Sequence, residues 1–156
     1  MGVQLTQEEI DEFVTEGHTV ILATTRKSGE PFMTPLWYVY ESGAIYLRTR
    51  ARSAKAQHIE RDPRVCLMVE AGEKWVDLKA VIINCHAEVV EDEAEFKRIQ
   101  GMLGEKYAAF RAEVAKAPKA TKKHYATSSV LFKCELRQGE VRSWYNRKLR
   151  GLEKAG

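Results

Sequence analysis

Three arginines, a lysine and two hydroxyls crowd one short stretch of the chain, Leu47-Arg48-Thr49-Arg50-Ala51-Arg52-Ser53-Ala54-Lys55. The stretch opens as the end of an apolar strand and runs into a helix predicted over Ser53–Arg61. A helix N-terminus presents unpaired backbone N–H groups and a partial positive charge, so it attracts anions. Guanidinium and ammonium groups beside it make a candidate grip for a phosphate. The same residues also suit a solvated basic turn, and spacing alone leaves both readings open.

Two aromatic features are the other residues able to do chemistry. Met33-Thr34-Pro35-Leu36-Trp37-Tyr38 lies on a predicted strand, where alternation aims Pro35 and Trp37 to one face. Proline cannot donate to a ladder, so the strand there must be an edge or a gap. A gap beside Trp37 can receive a flat ring, although Trp37 would serve equally as barrel core. The second feature, Trp144-Tyr145-Asn146-Arg147-Lys148, sets an aromatic beside cations at a strand end, or belongs to a plain basic tail. No nucleophile elbow, His-Glu-x-x-His motif or Gly-rich phosphate loop occurs. His18, His58, His86 and His124 are scattered and suggest no metal site. If the chain is an enzyme, a cofactor must carry the hard chemistry.

The elements that must position these residues follow from turn chemistry and periodicity. Thr6 followed by Glu9 is a capping box opening a short helix to about Glu16. Strands are predicted over His18–Thr25, Phe32–Tyr40 and Ala44–Thr49, divided by Gly-bearing turns, as in an antiparallel meander. Asp62-Pro63 stops the Ser53–Arg61 helix, and Arg64–Ala71 is a fourth strand. Trp75–Val90 reads as one long strand bent near Asn84, and Asp92 to about Ala117 as a helix. Ser129–Leu136 and Val141–Tyr145 read as a closing hairpin turning at Gln138-Gly139. Six or more antiparallel strands avoid open edges by closing into a barrel.

At 156 residues the chain is expected to form one domain, 1–156, with a real hydrophobic core. Its parts are an N-terminal helix (1–17), a barrel core with the phosphate site (18–91), a helical insertion (92–128) and a closing hairpin and tail (129–156). Composition is that of a globular protein, 44% hydrophobic and 30% charged. No apolar run approaches the roughly 20 residues of a membrane span. A polar, acidic N-terminus without a signal pattern makes a cytoplasmic location the default expectation. The net charge of +3 is too small to suggest nucleic-acid binding, despite the basic segment Lys116–Lys123. Cys66, Cys85 and Cys134 are an odd, widely spaced set inside apolar segments, expected as buried small hydrophobes without a disulfide.

Leu22-Ala23-Thr24-Thr25, Gly29-Glu30-Pro31 and Thr34-Pro35-Leu36-Trp37 together resemble the first hairpin of the pyridoxamine 5'-phosphate oxidase-like flavin-binding split barrels. Thr49-Arg50-Ala51-Arg52-Ser53-Ala54-Lys55-Ala56, followed by Asp62-Pro63-Arg64-Val65, is similar to that superfamily's phosphate-binding strand–helix–strand. The tail Val141–Leu149 also has a family-like pattern.

The resemblance implies a mainly β fold: a six-to-seven-stranded antiparallel split β-barrel of Greek-key type with short helices packed outside. It further implies a homodimer with cofactors in clefts between subunits. The cofactor phosphate is then held by the residues matching Arg48, Thr49, Arg50, Ser53 and Lys55. The ring lies along Met33, Pro35, Leu36 and Trp37, and residues of the other subunit complete the pocket. Trp75, Asp77, Trp144 and Arg147 are our candidates for that part.

The chain is shorter than pyridoxamine phosphate oxidase proper, and its ending Arg147-Lys148-Leu149-Arg150-Gly151 does not reproduce that enzyme's substrate motif. The resemblance thus points to an oxidoreductase that moves a hydride to or from a small planar substrate. Solvent or Tyr38 would deliver the proton. FMN is the expected cofactor. The deazaflavin coenzyme F(420) is the alternative, its longer anionic tail calling on Arg26, Lys27 or the Lys119–Lys123 cluster. A non-catalytic cofactor- or haem-binding split barrel is the remaining reading. Neither nucleic acid nor membrane is expected as a partner.

Overall fold

The computed structural model describes residues 3–111, 116–125 and 127–149. Two antiparallel sheets enclose the core. The first has five strands in the order β2-β1-β5-β6-β9, the second four in the order β3-β4-β8-β7. The strands are β1 (Val20–Thr25), β2 (Pro31–Leu36), β3 (Tyr38–Glu41), β4 (Ala44–Arg50), β5 (Arg64–Ala71), β6 (Lys79–His86), β7 (Glu88–Val89), β8 (Ser129–Glu135) and β9 (Glu140–Tyr145). Together with the helices outside them, they form the split barrel expected of the sequence.

Two expected strands are each divided between the sheets. Phe32–Tyr40 breaks at Trp37, where the chain leaves the first sheet as β2 and enters the second as β3. The Tyr38 N–H bonds the Tyr107 hydroxyl at 3.0 Å, so a side chain replaces the ladder at the crossing. Trp75–Val90 is likewise not one strand: Trp75–Asp77 is a 3₁₀ turn, β6 passes through Asn84 unbroken, and the switch falls at Ala87. There the backbone N–H of Ala87 turns to the Pro63 carbonyl at 2.9 Å. Pairing the divided strands, β2 with β3 and β6 with β7, makes seven continuous ones.

The expected closing hairpin is also corrected. β8 pairs with β4 and β7, whereas β9 pairs with β6 across the barrel. Gly139 permits the crossing, because a Cβ there would collide with the Asn84 carbonyl. The first three strands are two hairpins in separate sheets rather than one meander.

Helix α1 (Gln7–Glu16) has both halves of the Thr6–Glu9 capping box and buries Ile10, Phe13 and Val14 against the barrel end. Helix α2 (Ala54–Arg61) buries Ala56 and Ile59. Burying a Leu or Ile side chain stabilises by about 1.5–3 kcal/mol, so the inward residues Leu22, Ile45, Leu47, Leu67, Ile83 and Phe132 hold the sheets together. Helix α3 (Glu93–Lys106) packs Ile99 and Leu103 on the outer side of the second sheet, against Val39, Tyr46 and Leu131. It ends eleven residues before the expected Ala117, because Tyr107 turns inward and is fully buried. A 3₁₀ turn (Ala108–Phe110) follows, and α4 (Lys119–Tyr125) begins after Pro118. Residues 112–115 of the expected helix, 1–2 of the N-terminal segment, 126 of the insertion and 150–156 of the tail lie outside the described residues.

Cys85 and Cys134 are buried and Cys66 half-buried, all as free thiols. Among the described residues no helix is long and apolar enough to cross a membrane.

Candidate functional site

The basic stretch folds as a strand end, a tight turn and a capped helix. β4 carries Arg48, Thr49 and Arg50 to its end, where the Ser53 N–H bonds the Arg50 carbonyl at 3.0 Å. Ser53 is the N-cap of α2: its hydroxyl accepts the Ala56 N–H at 3.3 Å and lies 3.3 Å from the Thr49 hydroxyl. The Arg48 Nε donates to Ser129 Oγ at 3.0 Å. The Arg50 Nη1 is 3.4 Å from His124 Nδ1. Burial, and then the charge of Arg50, hold the Lys55 ammonium below its ordinary pKa. Like charges pressed together in this way are what an anion relieves.

Arg48, Thr49, Arg50 and Lys55 line a cavity of about 670 Å3, together with Leu36 and Trp37 at the β2–β3 crossing. The cavity brings the cations of the stretch beside an apolar corner, the arrangement that the anion reading expects. Leu103, Phe110, Arg111, His124, Thr127 and Ser129 complete the lining. No aspartate or glutamate contributes among the described residues. A second cavity, of about 620 Å3, opens on the outer face of the five-stranded sheet beside Ala23, Cys66 and Asn84. Its charged walls are already neutralised: Arg64 pairs with Asp62 at 2.8 Å, and Glu140 with Arg142 at 2.6 Å. Of these two cavities, the first combines an apolar wall with cations, and no carboxylate lines it among the described residues.

That apolar wall is held from behind. Trp37 stacks on Tyr107 with ring centroids 4.4 Å apart and planes 5° from parallel. The protein thus takes one face of Trp37 with the Tyr107 ring. The Tyr107 hydroxyl donates toward the His18 and Tyr38 carbonyls at 2.7 and 2.9 Å. Lys106 Nζ adds a bond to the Tyr38 carbonyl at 3.1 Å, and desolvation brings its pKa down to about 8. His18 meets Trp37, Tyr107 and Phe110 edge-on, and the Arg111 guanidinium lies 5.8 Å over the Trp37 ring.

The remaining sequence candidates fall into four places. Met33 and Pro35 stand exposed on β2, which is an edge strand as the proline requires, next to the cavity but outside its lining. Ser53 supports the site from behind as a helix cap. Trp75, Asp77 and Arg147 lie in a second cluster away from the cavity, with Arg147 Nε and Nη2 both 2.6 Å from Asp77 Oδ1, and Trp144 stands exposed on β9. Asn146 Nδ2 ties that cluster to the Trp75 carbonyl at 2.6 Å, and the Trp75 ring is 60% exposed.

Tyr38 is corrected. Its side chain is fully buried, its hydroxyl donates to the Val14 carbonyl at 2.5 Å, and burial pushes its pKa well up. Such a phenol cannot hand a proton to a ligand in the cavity.

Sequence reasoning missed Leu103, Phe110, Arg111, His124 and Thr127, and Ser129 at the start of β8. The first five belong to a stretch that reads only as an amphipathic helix and basic turn, and no local pattern marks them. Of the extra cations expected for a longer anionic tail, Arg26 faces Glu30 and the Phe32 ring, and the Lys119–Lys123 segment is exposed on α4, whose His124 reaches the cavity.

The family model for pyridoxamine 5'-phosphate oxidase matches residues 6–139. Among solved structures, a conserved hypothetical protein from Mycobacterium tuberculosis is 30% identical with a TM-score of 0.78, over 95% of this chain and 89% of that one. A FAD-binding protein from Mesorhizobium loti shares the fold at 18% identity and a TM-score of 0.65, over 90% of this chain and 94% of its own. An F420 reductase does so at 16% identity and a TM-score of 0.58, over 83% and 94%. No curated protein matches the sequence. With the family's model covering both the strand–helix grip and the barrel around it, the chain belongs to the pyridoxamine 5'-phosphate oxidase family.

Proposed function

We propose that the protein is a flavin-type oxidoreductase that binds FMN and transfers a hydride to or from a small planar substrate. One observation carries this reading: Arg48, Thr49, Arg50 and Lys55 line one cavity with the apolar Leu36–Trp37 corner, and no carboxylate joins them among the described residues. The donor set fits a phosphate monoester, because guanidinium and ammonium groups pair with its charge while Thr49 satisfies a further oxygen. The Leu36–Trp37 corner fits the edge of a planar ring. Membership of the family supports the same cofactor class.

FMN, when bound, supplies the hydride chemistry. Arg50 and Lys55 would hold its phosphate, with Thr49 meeting a further oxygen. Leu36, Trp37 and Leu103 would exclude water from the apolar part of the cavity. With Tyr38 in the core, the proton comes from solvent.

The proposed unit is a homodimer joined through the outer face of the five-stranded sheet. Pro35, Ile21, Met68 and Ile82 stand side by side across four strands there, half-buried or exposed. A second chain on this face would cover that apolar row and bring its Trp75, Asp77 and Arg147 toward the first chain's cavity.

The deazaflavin coenzyme is the second reading, favoured by Arg111 and His124 on the cavity wall beyond the phosphate grip. Absorbance of the purified protein, followed by titration with each cofactor, tests both. Flavin bands near ~450 and ~375 nm support FMN, and a band near ~420 nm supports the deazaflavin. An intense Soret band would favour the non-catalytic haem-binding reading. Failure of both FMN and the deazaflavin to bind overturns the proposal.

A further inference from the structure

The cavity holds more positive charge than one phosphate monoester can compensate. Arg48, Arg50, Lys55 and Arg111 all line it, with no acidic residue among the described ones. A phosphate monoester brings about 1.5–2 negative charges at neutral pH, which leaves roughly two cations unanswered.

Arg111 is the cation set furthest from the others in character. It is exposed, it forms no ion pair among the described residues, and its guanidinium lies over Trp37. The Arg111 guanidinium carries its N–H donors in a planar fork, which meets a carboxylate with two parallel bonds. Next to it Phe110 presents a ring that is 61% exposed, steadied by His18 at 4.6 Å. An aromatic surface and an unpaired fork thus stand side by side on the wall of one cavity.

We propose that this end of the cavity is a substrate subsite for a planar aromatic carboxylate, whose ring lies against Phe110 and whose carboxylate pairs with Arg111. The proposal rests on the cofactor reading above and gives its substrate a chemical class. Arg48, Arg50 and Lys55 keep the cofactor phosphate, and Arg111 discriminates among substrates by charge.

Benzoate and its neutral isostere benzamide test this, titrated into cofactor-free and FMN-loaded protein and followed by tryptophan fluorescence and the flavin spectrum. Benzoate should bind at least about tenfold tighter than benzamide, as a charged hydrogen-bonded pair implies. Arg111→Gln, with folding checked by circular dichroism, should abolish that preference, and Arg50→Ala should retain it. Equal binding of the two probes overturns the proposal. A preference that survives Arg111→Gln but disappears in Arg50→Ala also overturns it, since benzoate then sits in the phosphate grip. If Arg111→Gln weakens the deazaflavin coenzyme and leaves benzoate unaffected, Arg111 belongs to the cofactor's tail and the substrate assignment fails. Failure of the wild-type protein to bind FMN counts against the cofactor reading alone, because the benzoate comparison is also made on cofactor-free protein.

Discussion

Burial, and then the charge of Arg50, disfavour the charged form of Lys55 in the free protein, and a phosphate held there as proposed would favour it again. Replacing either residue with Ala should weaken FMN binding by about 1.5–3 kcal/mol, the range for a hydrogen bond to a charged group. Fluorescence titration of FMN measures it, and normal binding by both variants would remove the phosphate assignment. The pH dependence follows from Lys55. Its pKa is held down in the free site, chiefly by burial and then by Arg50, and a phosphate alongside favours the charged form and pulls it back up. Binding therefore takes up protons above the lowered pKa, and affinity falls as pH rises through it. The Lys55→Ala variant should lack this alkaline limb. Residue types legible at this scale were those packed into one local motif: the cations of 48–55 could be named as a group because they are neighbours in the chain. Arg111 could not, because its partner Trp37 lies more than seventy positions earlier.

Tyr107 acts between elements. Its hydroxyl serves the Tyr38 N–H and the His18 and Tyr38 carbonyls where β2 gives way to β3, while its ring backs Trp37. Tyr107→Phe keeps the stack and removes the partner of the buried Tyr38 N–H, at a cost of about 1–3 kcal/mol, while Lys106 still bonds the Tyr38 carbonyl. Denaturant unfolding monitored by circular dichroism should show the lower midpoint, and an unchanged midpoint would mean that other groups take over the bonds. Helix starts were legible because caps are local: Thr6 with Glu9, and Ser53 before α2, each bond a backbone group three residues away. Strand ends were not. Phe32–Tyr40 and Trp75–Val90 continue their β-rich patterns straight through the points where they change sheets. What divides them is a side chain or carbonyl from elsewhere, Tyr107 in one case and Pro63 in the other.

At the scale of the molecule, the outer face of the five-stranded sheet is the surface on which the proposed dimer depends. Met68→Asp places a charge in the middle of the apolar row without touching the core, since Met68 faces away from the buried Leu67 and Val69. The expected outcome is a fall from the mass of two chains to that of one by size-exclusion light scattering. FMN affinity should drop about tenfold or more, as the loss of a charged contact from the second chain implies. A variant that stays dimeric, or a wild-type protein that is monomeric at micromolar concentration, would count against this interface. A monomer that binds FMN as tightly as wild type would show that the cavity of one chain suffices, and Trp75, Asp77 and Arg147 would lose their proposed role.

By itself the sequence determined the β-rich class, the starts of the helices that have local caps, an edge or gap at Pro35 and the basic strand–helix junction. All of these depend on turn chemistry, alternation and capping, which act within a few residues. Only the tertiary structure decided which strands share a sheet, which face of Trp37 is spent on Tyr107, and that Phe110, Arg111 and His124 join the site. It also removed Tyr38, whose place in a promising motif concealed a hydroxyl already satisfied in the core. Those outcomes depend on pairings and close approaches between residues far apart in the chain. No local pattern records them, because the energy that selects them comes from burying two distant surfaces against each other.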